Sequence, residues 1–186
     1  MILVSRHLTD YIDFPPYFII RINLAWEHDL QELLNHISTL SNPIFLDIPI
    51  GRKKPPNNQW NIDNIITACK EEPLIQYLAI SNVECQKDYN EIQQKLTNDH
   101  LTNRVCIVPK IESIKAVENI DNIIIALDTE PQRTIMIDHD DLFTDLMKNN
   151  VEPSKLYNEY ILPVVRKCKK YDTRVLRTAG VVFCDN

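Results

Sequence analysis

Apolar residues along the chain fall into two alternating patterns. Short runs rich in Ile, Val, Leu and Phe read as strands buried on both faces: Tyr17–Asn23, Ile44–Ile48, Gln76–Asn82, Val105–Lys110, Thr134–Asp138 and Arg174–Thr178, with Ile2–Ser5 as a further strand. Longer segments between them repeat at helical spacing. Glu27–Leu40 sets Leu30, Leu33, Leu34 and Ile37 on one face, Tyr89–Leu96 follows Asp88, and Leu156–Lys170 turns Leu156, Tyr160, Ile161 and Val164 inward. The alternation recurs about every 30 residues, the size of one βα unit. Doubly buried strands joined by helical crossovers predict a parallel sheet, curled toward a (β/α) barrel or left as an open doubly wound sheet.

Length decides between these outcomes. A complete eight-stranded barrel takes roughly 200 residues or more, whereas this chain has 186, with only TDYIDFPP where the first helix belongs and VVFCDN where an eighth unit would start. The expectation is an α/β, TIM-type (β/α) barrel that is incomplete, with about six to seven βα units, in a single domain over 1–186. An open barrel exposes a strand edge, so a second copy or a partner chain is expected to cover it. GRKKPPNNQ, with paired prolines and asparagines, opposes helix and strand alike and is the best loop candidate.

Composition narrows the function classes. A net charge of −6 without a basic stripe argues against nucleic acid, whose binding is driven by lysine and arginine displacing counterions. No apolar run approaches the ~20 residues that a bilayer crossing requires. Cys69, Cys85, Cys106, Cys168 and Cys184 form no CxxC pair, which predicts free thiols in a reducing cytoplasm. Only Gly51 and Gly180 are glycines, so neither a Walker nor a Rossmann phosphate cradle can be built.

In such folds reactive groups gather at the carboxyl ends of the strands. Those ends carry Arg21 and Asn23, Asp47, Ser81 and Asn82, Lys110 with Glu112, and the group Asp138, His139, Asp140, Asp141. Lys110 and Glu112 are two apart, so at an extended strand end both side chains point the same way. With Asp141 from the next strand, two carboxylates could hold a hard divalent ion. The plainer alternatives are that Asp141 caps a helix starting near Leu142, that His139 is a surface histidine with a raised pKa, and that Arg21 pairs with Asp47.

Five segments together resemble pyruvate kinase. IIRINLAWEHD is similar to its strand ending in arginine, a spacer and asparagine; IFLDIPIGRK to its leucine-aspartate strand; QYLAISNVECQKDYNEI to its alanine-leucine-serine segment; RVCIVPKIESIKAVENIDNII to its lysine-isoleucine-glutamate strand; and TIMIDHDDLFTDL to the strand before its aspartate-leucine pair. The resemblance implies a barrel acting on phosphoenolpyruvate, pyruvate or a related 2-oxo acid. Glu112 and Asp141 would bind Mg²⁺ or Mn²⁺, Lys110 would stabilise the transferring group, Arg21 would contact phosphate, and Asn23 and Asp47 would bind K⁺. Departures oppose kinase turnover. Ala25 and Trp26 replace serine and histidine, Ile48 replaces threonine, Asp140 and Phe143 replace glycines, Arg177 and Thr178 only echo a late alanine-threonine pair, and the lid and C-terminal domains have no counterpart. Two alternatives stand beside the kinase: a non-catalytic binding or regulatory homologue, and a metal-dependent lyase of the aldolase and citrate-lyase class. The latter also uses a glutamate on one strand and an aspartate before leucine on the next. Lys110 favours kinase descent, because the lyase pattern usually lacks it.

Overall fold

The computed structural model describes residues 2–49 and 60–177. The loop expected at 51–59, Thr178, Cys184 and both glycines therefore lie outside the described residues. The strands are β1 (Ile2–Ser5), β2 (Phe18–Asn23), β3 (Ile44–Ile48), β4 (Ile75–Ile80), β5 (Cys106–Ile111), β6 (Thr134–Ile137) and β7 (Arg174–Arg177). They follow one another in chain order and every described pairing is parallel. The fold is α/β, an incomplete TIM-type barrel with seven strands among the described residues where a full barrel has eight. No helix among these residues is long and apolar enough to cross a membrane.

The chain divides into two compact units. The first carries β1 to β4, with Asn23 of β2 opposite Asp47 of β3. Every residue of β3 is buried, as expected of a strand covered on both faces. Helix α1 (Leu30–Ser38) begins later than the pattern predicts, because Asp29 is its N-cap and accepts the Glu32 amide at 2.9 Å. Glu32 in turn accepts the His28 amide at 2.6 Å, a reciprocal cap that fixes the helix start. Leu33 and Ile37 of α1 are buried, while Leu30 and Leu34 are half-buried. Residues Leu24–Trp26 form a separate 3-10 turn, whose end is held by the Trp60 indole donating to the Leu24 and Glu27 carbonyls. Helix α2 (Ile62–Glu71) buries Ile65, Ile66, Ala68 and Cys69. Arg104 donates to the carbonyls of Cys69, Glu72 and Ile75 at its far end, where helix carbonyls lack partners of their own. Helix α3 (Gln86–Asn98) starts before the predicted Tyr89, since Asp88 accepts the amides of Glu84 and Cys85.

The second unit holds residues 82–88 and those from Pro109 onward. Strand β6 is buried throughout and pairs with β5 through Lys110 opposite Met136 and Ile111 opposite Ile137. Helices α4 (Ile114–Glu118), α5 (Ile120–Ala126), α6 (His139–Lys148) and α7 (Leu162–Lys170) belong to this unit. Ser113 caps α4, its hydroxyl accepting the Ala116 amide at 3.1 Å. The helix predicted over Leu156–Lys170 has two parts, a π-helical stretch Leu156–Ile161 and then α7. Pro163 near the junction supplies no amide to the preceding turn. Ile161 and Val164 point inward as expected, whereas Leu156 and Tyr160 are half-buried.

Candidate metal centre

Strand β5 ends by placing Lys110 and Glu112 on one side, with Ile111 fully buried between them. The Lys110 ammonium lies 2.7 Å from one Glu112 oxygen, Oε1, and 3.4 Å from Asp138 Oδ2. All three residues are buried, at 5%, 7% and 8% exposure. Asp138 reaches this position because its amide donates to the Ile111 carbonyl at 3.2 Å, which continues the β5–β6 ladder one residue beyond β6. Glu112 Oε2 accepts the Asn82 amide at 2.7 Å. Carboxylate oxygens of Glu112, Asp138 and Asp141 lie within 4.8 Å of one another.

Burial pushes the Glu112 carboxyl up. The Lys110 charge and the Asn82 amide oppose that rise, and Asp138 adds to it. His139 is lowered, by burial first and then by Arg177, against the pull of Asp138 and Asp140. The expectation of a raised His139 is thus corrected: Asp140 is exposed to water and screened accordingly, while the ring itself is half-buried. A second correction concerns the cap. Asp138, not Asp141, is the N-cap of α6, its Oδ1 facing the Asp141 amide at 3.4 Å, and the helix begins at His139 rather than near Leu142.

Asp138 was placed among the strand-end acids by the sequence, but not among the ligands. The signal available was its position, directly after a fully buried strand and directly before an amphipathic helix.

Arg21, Asn23 and Asp47 meet in the first unit. Arg21 Nε donates to Asp47 Oδ2 at 3.0 Å and Nη2 donates to the same oxygen, while Asp47 is buried. Asn23 Oδ1 accepts the Ala25 amide at 3.0 Å and caps the 3-10 turn. The expected K⁺ ligands are therefore engaged otherwise, Asp47 by a permanent cation, and a potassium site gains no support. The same unit holds a grouping that the sequence missed, Glu27, Glu32 and His36, with ligand atoms within 4.8 Å of one another. Its signal was the spacing of Glu32 and His36, four apart on one helix face. His36 Nδ1 and Glu27 Oε2 are 2.7 Å apart, while Glu32 accepts the His28 amide at the start of α1, so each of the three already has a protein partner.

No family model matches the chain, and no curated protein matches it. Solved structures do match. Macrophomate synthase superposes with a TM-score of 0.63 and 16% identity over 87% of this chain and 62% of its own. An HpcH/HpaI aldolase/citrate lyase family protein from Burkholderia cenocepacia J2315 gives 0.60 and 14%, over 87% of this chain and 71% of its own. RipC from Yersinia pestis gives 0.57 and 14%, over 95% and 73%. The chain thus spans 62% of the length of macrophomate synthase. These likenesses establish the barrel fold. They also overturn the resemblance to pyruvate kinase, since these three structures are not pyruvate kinases. The physical reason lies in what the five segments share: polar strand ends are common to barrels of this type, whereas the kinase's own glycines and serine-histidine pair are replaced here by Asp140, Phe143, Ala25 and Trp26. Lys110 does not discriminate either, because it is a buried partner of Glu112 and Asp138.

Proposed function

We propose that this chain is a metal-dependent carbon–carbon lyase of the aldolase and citrate-lyase type, acting on a 2-oxo acid, with Glu112, Asp138 and Asp141 holding Mg²⁺ or Mn²⁺. The observation that carries the proposal is the convergence of three carboxylates at the carboxyl ends of β5 and β6, where barrel enzymes place their chemistry. The donor set fits the ion: all-oxygen ligands suit a hard divalent cation, and three carboxylates against one ammonium leave a formal charge of −2 for it to balance. A bound divalent ion would supply Lewis-acid polarisation of a carbonyl oxygen. Lys110 offsets part of the acidic charge and orients Glu112 and Asp138. Asp138 also ties the cluster to α6 as its N-cap. A homo-oligomer or a partner chain over the edge of β1, where Ile2 is exposed, belongs to the same proposal.

Exchange of the pyruvate methyl protons in D₂O, followed by ¹H NMR with Mg²⁺ or Mn²⁺, is the direct test, because carbon–carbon cleavage leaves its electron pair on the carbon next to the carbonyl, the same carbon that gives up a proton and takes up a deuteron in the exchange. Loss of the methyl signal that is abolished in Glu112→Gln and Asp138→Asn supports the proposal. No exchange, with no metal uptake by calorimetry, overturns it. A second reading, a non-catalytic binding module, is favoured by one observation: both Glu112 oxygens already have protein partners. It predicts pyruvate or oxalate binding without proton exchange.

A further inference from the structure

We infer that Asn82 is a positioning residue for Glu112, its left-handed backbone aiming a main-chain N–H at the carboxylate that the metal centre uses; the inference rests on that proposed centre. Four described residues other than glycine have positive φ: Asn82, His100, Asn150 and Asp172. The last three follow the ends of α3, α6 and α7, where a left-handed residue commonly closes a helix. Asn82 follows strand β4 instead, with φ 56°, so helix termination does not account for it. Its residue is exposed, so core packing does not account for it either. What the conformation does accomplish is visible in one contact, the Asn82 amide donating to Glu112 Oε2 at 2.7 Å.

That contact completes a two-sided clamp. Lys110 holds Oε1 at 2.7 Å and Asn82 holds Oε2, which fixes both the position and the plane of the carboxylate. The segment carrying Asn82 is itself anchored within the same unit. Glu84 accepts from the Ser113 hydroxyl at 3.4 Å and from the Lys115 ammonium at 2.7 Å, and its carbonyl accepts the Asn119 amide group at 3.1 Å. The amide donor is thus held from residues that directly follow Glu112. Asparagine tolerates the left-handed region better than any residue with a β-carbon and no local hydrogen-bonding group, and glycine occupies it freely. The amide is main-chain, so glycine preserves it.

The test measures Mn²⁺ affinity of the full chain by calorimetry and electron paramagnetic resonance, well below the melting temperature, for the wild type, Asn82→Gly, Asn82→Ala and Glu112→Gln. Asn82→Gly is expected within about twofold of the wild type, and Asn82→Ala about tenfold weaker. A purely structural role would lower the melting temperature of Asn82→Ala, with glycine restoring it, but would leave Mn²⁺ affinity equal in the folded variants. In the metal-free protein the Asn82 amide proton should resonate far downfield and move upfield in Glu112→Gln, a readout that holds even if the alanine variant fails to fold. Wild-type Mn²⁺ binding with equal affinity in Asn82→Ala overturns the positioning role and leaves the metal centre standing. An Asn82 amide unmoved in Glu112→Gln overturns it as well. Failure of the wild type to bind Mn²⁺ overturns the metal centre and this inference with it.

Discussion

Replacing Lys110 by methionine removes the one cation within reach of Glu112 and Asp138 that the described ion pairs provide. Methionine keeps the volume of the side chain but not its charge. Two buried carboxylates then face each other without compensation, and breaking a buried pair in this way costs about 3–5 kcal/mol. For a chain of this length about 2–4 °C of melting temperature accompany each kcal/mol, so the variant should melt roughly 6–20 °C below the wild type in EDTA. Burial already holds the Glu112 carboxyl above its ordinary value, and Lys110 opposes that rise. Without the ammonium, Glu112 takes up its proton at still higher pH. A carboxyl raised in the folded state contributes stability below its unfolded value and loses it as pH rises through the folded one. The deficit of Lys110→Met should therefore grow from acid to neutral pH. A divalent ion supplies the missing charge. Saturating Mn²⁺ stabilises by about 2.7 kcal/mol at a hundredfold excess over Kd, and the gain should be larger in the variant than in the wild type. Scanning calorimetry with EDTA or Mn²⁺ at several pH values measures all of this. Equal melting in EDTA, or a smaller Mn²⁺ gain in the variant, would refute the argument that Lys110 and the ion serve the same carboxylates.

Three further outcomes are expected. Arg104→Met should lower the urea unfolding free energy by about 2–4 kcal/mol, since charge-assisted bonds to three carbonyls are lost; Arg104→Lys should restore less than half, a point charge being unable to span them. Desolvation works to raise the Asp88 carboxyl, but the Glu84 and Cys85 amides, with lesser help from Lys115, hold it below its ordinary value. Its contribution is present above the ordinary carboxyl value and lost as pH falls through the folded one, so urea midpoints of the wild type and Asp88→Asn should converge on acidification. Alkylation mapped by mass spectrometry should modify half-buried Cys85 in the native protein. Cys69 and Cys168, pushed up to about 12 by burial, should react only in denaturant; labelling at the Cys85 rate would contradict their burial.

Local rules account for how much of this protein could be read from its residues. Mostly apolar runs marked the seven strands to within a residue or two, because a strand covered on both faces is largely apolar: β3 and β6 are buried along their whole length, with Asp47 and Thr134 their polar residues. Helix starts were less legible. Asp29, Asp88 and Asp138 each move a boundary through a side-chain bond to a backbone amide, and a short acid in a polar stretch has several amides from which to choose. The resemblance to pyruvate kinase failed for a related reason: segments with acids at strand ends recur across barrels, and the order of such segments does not by itself separate one family from another.

The polar residues at the carboxyl ends of β5 and β6 were determined by the sequence, since the two-residue period alone sets Lys110 and Glu112 on one side. Which of those groups meet was decided by tertiary structure. Asp138 joins Glu112 because its amide extends the pairing with Ile111, and Glu112 receives an amide from a residue 30 positions earlier, whereas the pairing of Arg21 with Asp47 on β2 and β3 was already the plainer reading of the sequence. Contacts between residues far apart in the chain depend on register and on where each helix starts, and a one-residue slip would turn every side chain to the opposite face of the strand.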